Sequence, residues 1–191
     1  MTALASGLLL TGVAALLAGG AQADSRAASP ENLLLQVTPD GAGGAQVRGG
    51  IDIPAPPSAV WKVMLDCNEA VRYVPKLKSC RVLKADPGGA WDVREHRFDY
   101  GVLGEIRHVF RSDYVSGARV RTQRVDGDLK FSQGEWRLEP LAGGAATRVR
   151  YQSRSASKTP LPGPLVRQAI RRDAPASLRG LRRRSLAAAG S

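Results

Sequence analysis

Two histidines, two cysteines and two aspartates in one turn are the residues whose types could support chemistry in this sequence. The sequence contains no Gly-x-Ser-x-Gly, P-loop or His-Glu-x-x-His motif, so the common hydrolase, nucleotide-binding and zinc-protease signatures are excluded. His108 is the strongest candidate for acid–base chemistry. Alternation with Ile106 and Phe110 places it on an apolar strand face, where an imidazole could titrate near neutral pH and move protons.

A structural role competes with this catalytic one. A histidine on an apolar face is usually held by one backbone hydrogen bond, and this is the favoured interpretation of His108. His96 stands in a run of charged residues and is predicted to lie on the surface. Asp126 and Asp128 flank Gly127, where short acidic side chains cap turns. No further oxygen ligands stand nearby, so neither a metal nor a cofactor is expected.

The N-terminal segment predicts export. Residues 1–23 carry no ionisable side chain, contain the apolar run 8–17 and end in Ala21-Gln22-Ala23. An apolar run followed by a small-x-small triplet is typical of a signal peptide, cleaved here after Ala23, and predicts a periplasmic or secreted protein. An uncleaved membrane anchor is the alternative, and it would need a longer apolar run.

The cysteines are Cys67 and Cys80, 13 positions apart in the exported portion. In an oxidising compartment they are natural disulfide partners, and closing a loop of this length contributes about 3 kcal/mol. Two unpaired buried thiols are the alternative.

The order of elements follows from hydrophobic periodicity and turn residues. A hairpin (33–37 and 45–53) precedes a helix that starts after 54–58 and a short helical turn at 69–74. Strands are predicted over 79–85, 90–100, 102–113, 116–125, 129–139 and 145–157. A final amphipathic helix begins at about Leu165 and is expected to be interrupted at Pro175.

Several of these segments resemble one superfamily. They are Ile51–Asp66, Tyr73-Val74-Pro75, Ser79–Leu83, Gly134–Leu138 and the closing helix. Together they resemble the START-like (SRPBCC) superfamily, closest to its polyketide cyclase/dehydrase and lipid-transport branch, which includes coenzyme Q-binding START domains. The resemblance implies an α+β helix-grip fold, in which a curved antiparallel sheet wraps around a long C-terminal helix.

The signal-like segment and the resemblance, which spans about residues 45–184, together divide the chain. A signal peptide (1–23) is followed by a linker and first hairpin strand (24–44), the START-like ligand-binding domain (45–185) and a disordered tail (186–191).

Members of the superfamily mostly hold apolar or amphipathic small molecules between helix and sheet. The residues predicted to line such a cavity are large apolar or aromatic side chains on the faces predicted to be buried: Trp61, Met64, Phe110, Trp136, Tyr151, Val166 and Ile170. For each of them, ordinary packing in the hydrophobic core is the alternative.

Charge is concentrated at one end of the chain. The net charge is +11, from 28 basic and 17 acidic residues, and the positions after 140 hold eleven bases and one acid. Arg179, Arg182, Arg183 and Arg184 predict a basic patch that docks on an anionic membrane, the alternative being a solvated arginine-rich face. No nucleic-acid partner is expected, because the basic helix lacks interleaved aromatic residues.

These observations favour an exported, monomeric binding protein or carrier for a lipid, quinone or polyketide-like molecule that is not turned over. The alternative function is a cyclase- or dehydrase-type enzyme that uses His108 in the same cavity. A third alternative is an interaction module whose own side chains fill the cavity.

Overall fold

The computed structural model describes residues 31–41, 43–101, 104–158 and 162–190. The predicted signal peptide, residues 1–23, lies outside these ranges. The described elements are, in chain order, β1 (Leu34–Pro39), β2 (Ala45–Ile53), α1 (Pro57–Leu65), α2 (Cys67–Tyr73), β3 (Leu77–Ala85), β4 (Trp91–Asp99), β5 (Glu105–Val115), β6 (Arg119–Gly127), β7 (Leu129–Leu141), a 3-10 turn (Ala142–Gly144), β8 (Ala146–Ser157) and α3 (Gly163–Ala189).

The eight strands form one sheet in the order β1-β2-β8-β7-β6-β5-β4-β3, with every neighbouring pair antiparallel. Strands β3 to β8 follow one another as successive hairpins. Strand β2 forms a hairpin with β1 and also pairs with β8. The sheet curves around α3, so the predicted α+β helix-grip fold is confirmed.

The main core lies where β2, β7 and β8 meet α1 and α3. Period-2 alternation along these strands directs every second side chain inward. The fully buried residues of this cluster include Ile51, Ile53 and Val149 from the sheet, and Leu178 and Leu181 from α3. Prolines at the start of α1 favour helix initiation there, because their missing N–H groups would be unpaired in any first turn.

Two contacts position the helices. One joins β8 to the loop before α1, and the other brings α3 close to α2. The Thr147 hydroxyl, fully buried on β8, donates a 2.7 Å hydrogen bond to the carbonyl of Ala55 in the loop before α1. Gly180 lets α3 approach α2 closely, because a Cβ atom there would lie only 2.8 Å from the Cβ atom of Tyr73. The close approach of the two helices therefore favours glycine at position 180.

Helix α3 differs from its sequence-based description in two ways. It continues through Pro175 as one helix of 27 residues rather than breaking there. The Ser177 hydroxyl donates a 3.0 Å hydrogen bond to the carbonyl of Asp173 across this proline. Residues 186–189, assigned from the sequence to a disordered tail, form its last turn, since alanine-rich sequence favours helix.

Cys67 and Cys80 form a disulfide, with Cα atoms 5.1 Å apart, that ties the start of α2 to β3. The predicted pairing is present, and the alternative of two unpaired thiols does not hold. Within the described ranges, no helix is both long and apolar enough to cross a membrane.

Candidate functional site

A partly open cavity of about 290 Å³ lies between the concave face of the sheet and the three helices. The helices and the segment after α2 contribute Met64, Leu65, Ala70, Tyr73, Val74, Ala174, Ser177, Leu178 and Leu181. The strands contribute Arg94, His96, Phe98, His108, Phe110, Ser112, Tyr114, Val120, Thr122, Ser132, Gln133, Trp136, Tyr151 and Ser153.

Four of the seven cavity residues predicted from the sequence line this space. Met64 reaches it from α1, Phe110 from β5, and Trp136 and Tyr151 from β7 and β8. The rings of Trp136 and Tyr151 lie 4.1 Å apart, centroid to centroid. The two residues are paired directly across β7 and β8, which explains why both point to the same face.

The other three predicted residues do not line the cavity. Trp61 packs against the main core and meets Tyr114 edge to face at 5.8 Å, so it supports a lining residue from behind. Ile170 packs on a second core cluster near β1 and β2. Val166, one turn earlier on α3, is partly buried but lies outside the lining. Val166 and Ile170 thus lie before the part of α3 that covers the cavity, which begins at Ala174.

Two histidines lie side by side on the cavity wall. His96 on β4 is directly opposite His108 on β5, and each imidazole lies 4.8 Å from the Phe110 ring. The surface position predicted for His96 is therefore wrong. Its charged sequence neighbours concealed its orientation, but the cross-strand pairing with an inward His108 fixes it. Neither Nε2 atom contacts solvent or has a hydrogen-bond partner.

Burial keeps both imidazoles neutral. It lowers the pKa of His96 to about 3, with further lowering by His108 and the Arg94 charge. It lowers the pKa of His108 to about 4, and the charge of Arg124 adds to the effect. Removing a cationic imidazolium from water is unfavourable, and the nearby guanidinium groups oppose a further positive charge.

Arg94 is the one cationic side chain that lines the cavity among the described residues. It pairs with Asp92 on the same strand, with a nitrogen–oxygen distance of 2.7 Å and 8% of each side chain exposed. Sequence reasoning missed this inward pair. An arginine and an aspartate two positions apart on a strand share one face, and that spacing was the available signal.

The two aspartates that flank Gly127 have structural contacts with Arg107. The Asp126 carboxylate pairs with the Arg107 guanidinium at 2.7 Å, and the Asp128 carboxylate accepts the Arg107 backbone N–H at 2.7 Å. Across the residues that the structure describes, no group of three or more His, Cys, Asp or Glu side chains is placed to hold a metal ion.

Three of the four arginines of the predicted basic patch bind the protein itself. Arg179 pairs with Glu31 at 2.8 Å and Arg184 with Glu69, while Arg182 donates a 2.6 Å hydrogen bond to a backbone carbonyl of β2. Arg183 is exposed. These contacts hold residues 179–184 of α3 against Glu31, β2 and α2.

The fold defines a helix-grip protein with a partly open cavity, and solved structures share this architecture. A STAR-related lipid transfer protein fragment from Xanthomonas axonopodis matches with a TM-score of 0.65 and 21% identity, covering 81% of this chain and 98% of that one. The Zhui aromatase/cyclase from Streptomyces matches with a TM-score of 0.63 and 15% identity, covering 74% of this chain and 93% of that one. The lipid transfer and protein localization domain of human StarD13 matches at 0.62 and 12%, covering 81% and 89%.

The family assignment comes from residues 53–182, which match the family described as polyketide cyclase / dehydrase and lipid transport. The chain belongs to this family. A comparison with curated protein sequences finds no match. At these low identities the solved structures establish the fold, and the ligand has to be argued from this chain's own residues.

Proposed function

We propose that this protein binds a hydrophobic or amphipathic small molecule in the cavity beneath α3 and does not transform it. The observation that supports the proposal is the cavity itself, which is lined by aromatic and aliphatic side chains from both the sheet and the helices. Burying apolar ligand surface there contributes roughly 25 cal/mol per Å². A volume of about 290 Å³ lies at the lower end of known small-molecule pockets, so the ligand is small or α3 moves to admit it.

The histidine pair is the feature that favours an enzyme, since unpaired imidazoles beside a cavity could exchange protons with a substrate. Their low pKa values argue for binding instead. A base with a pKa of about 4 is weak at neutral pH, because general-base efficiency falls as the pKa of the base falls. Turnover would require a ligand that raises the pKa of His108 substantially.

A cavity-filling variant tests the binding function. Ala174 lines the cavity from α3, whereas Ala176, two residues later, is exposed. With delipidated protein and the neutral fluorophore N-phenyl-1-naphthylamine, we expect Ala174→Phe to weaken binding at least tenfold and Ala176→Phe to leave it unchanged. A wild-type protein that does not bind the fluorophore, or an Ala174→Phe variant that binds it equally well, would refute the proposal.

We also propose that the protein is exported. Support comes from the signal-like residues 1–23 and from the Cys67–Cys80 disulfide, because such bonds persist in oxidising compartments. The expected result is a periplasmic or secreted form whose intact mass begins at Asp24. A full-length form in the membrane fraction would instead establish the uncleaved anchor.

Docking on anionic lipid remains a further proposal. Fewer arginines are available for it than the number on α3 suggests. Helix α3 carries seven arginines against one acid, but Glu31 and Glu69 neutralise two of those arginines. Exposed Arg183 is the clearest remaining contact, and one base near an anionic bilayer contributes about 1 kcal/mol. Equal sedimentation of the protein with neutral and anionic vesicles would exclude this proposal.

A further inference from the structure

The two walls of the cavity differ in chemistry. The wall formed by α1 and α3 is mainly aliphatic, with Met64, Leu178 and Leu181 as its largest side chains. The opposite wall, on β4 and β5, carries the two histidines and Arg94. A ligand that fills this space therefore meets apolar groups on one side and nitrogen groups on the other.

Two imidazole nitrogens of the second wall are not satisfied by the protein, whereas Arg94 is paired with Asp92. The Nε2 atoms of His96 and His108 have no hydrogen-bond partner and no contact with solvent, and the same is true of Tyr114 Oη on the same wall and of Asp92 Oδ1 beside it. Buried polar groups in folded proteins are paired in the great majority of cases. Two unpaired imidazole nitrogens on neighbouring strands, both at the cavity, indicate a place where a partner is supplied from outside the chain.

The surrounding charges determine the kind of partner. Arg94 and Arg124 both act electrostatically on the histidines and oppose a positive charge there. Asp92 offsets the charge of Arg94, whereas Asp126, which interacts with Arg124, is exposed and bound to Arg107. An amine or a metal ion is therefore disfavoured, and an electron-rich oxygen is favoured.

We infer that the ligand carries a hydrogen-bond-accepting oxygen, a carbonyl or a carboxylate, that binds at His96 and His108 while its apolar part lies against α1 and α3. A neutral imidazole can place its proton on Nε2 and donate to such an oxygen. This inference rests on the proposed binding function and adds the ligand's polarity and orientation.

Two isosteric probes test whether an acceptor oxygen on the ligand strengthens binding. 2-Acetylnaphthalene and 2-isopropenylnaphthalene share size and shape, but only the first has an acceptor oxygen. Each competes with N-phenyl-1-naphthylamine for the delipidated protein. One or two net hydrogen bonds predict that wild type binds the ketone about tenfold more tightly than the alkene. His96→Phe/His108→Phe is expected to bring the ratio close to one while retaining the fluorophore, and 2-naphthoate tests whether a carboxylate binds more tightly than the ketone.

The possible outcomes distinguish the proposed binding function from the inferred polarity of the ligand. A ratio near one in wild-type protein that still binds the fluorophore would overturn the inferred polarity and leave the binding function intact. A tenfold preference that persists in the double variant would overturn the role of the histidines. Failure of wild type to bind the fluorophore and both naphthalenes would refute the proposed function and this inference together. Exposed Gln168→Phe on α3 serves as a control, with an unchanged ratio expected.

Discussion

Mild acid should destabilise this protein because of His96 and His108. Both imidazoles stay neutral in the folded state down to about pH 4, since their pKa values fall from 6.5 to about 3 and about 4. In the unfolded chain they take up protons below pH 6.5. As the pH falls, the unfolded state therefore binds more protons than the folded state, and the free energy of unfolding decreases.

The magnitude follows from these values. At pH 5 an unfolded histidine with a pKa of 6.5 is stabilised by about 2 kcal/mol through protonation, while its folded counterpart remains unprotonated. The two histidines together predict a loss of about 4 kcal/mol between pH 7.5 and pH 5, a large part of the stability of a domain of this size. Paired carboxylates such as Glu95, whose pKa is lowered to about 2, contribute mainly below pH 4.5, outside this interval.

Urea denaturation at pH 7.5, 6.5, 5.5 and 5.0 measures the effect. We expect His96→Phe and His108→Phe each to remove about half of the pH dependence, and the double variant to remove most of it, because phenylalanine preserves the aromatic contacts with Phe110. A wild-type stability that is constant over this range, or a double variant as pH-dependent as wild type, would show that the histidines are not buried as neutral groups.

Three further predictions concern stability. Replacing Cys67 and Cys80 together by serine should cost about 3 kcal/mol in denaturant unfolding, and an equal stability with and without reductant would contradict this. Thr147→Val should cost about 2 kcal/mol, because it leaves a buried carbonyl unpaired, whereas Thr147→Ser, which keeps the hydroxyl, should cost less. Gly180→Ala should destabilise by about 1 kcal/mol, since crowding against Tyr73 outweighs the better helix propensity of alanine; a higher melting temperature would refute this.

Local sequence patterns predicted the sheet because its strands are separated by strong turn residues and alternate clearly. Gly127 adopts a positive φ of 100°, which glycine tolerates far better than other residues, and it marks a turn that the sequence identified. The continuity of α3 was not predictable in the same way. Pro175 removes one backbone hydrogen bond, and whether the helix survives depends on tertiary packing of its flanks, which local propensity does not contain.

The candidate site was less predictable for a related reason. His96 follows two charged residues in the sequence, so composition indicated a solvated strand face. In the structure Arg94 points inward with His96 and is compensated by Asp92, while Glu95 points to the other face. A charged side chain marks an exposed position only if it lacks a buried partner, and that partner is known only when the pairing of strands and side chains is known.

The two halves of α3 are held unequally, which bears on how a ligand enters. All four buried residues of this helix, including Leu178 and Leu181, lie after Pro175, and the ion pairs of Arg179 and Arg184 anchor the same half. The half before Pro175 has no buried residue. Fewer buried contacts mean that less free energy is needed for local opening. We therefore expect amide hydrogens of residues 165–173 to exchange faster than those of residues 178–186. The opposite order would show that the half before Pro175, which adjoins the part of α3 covering the cavity, is not the half that opens more easily.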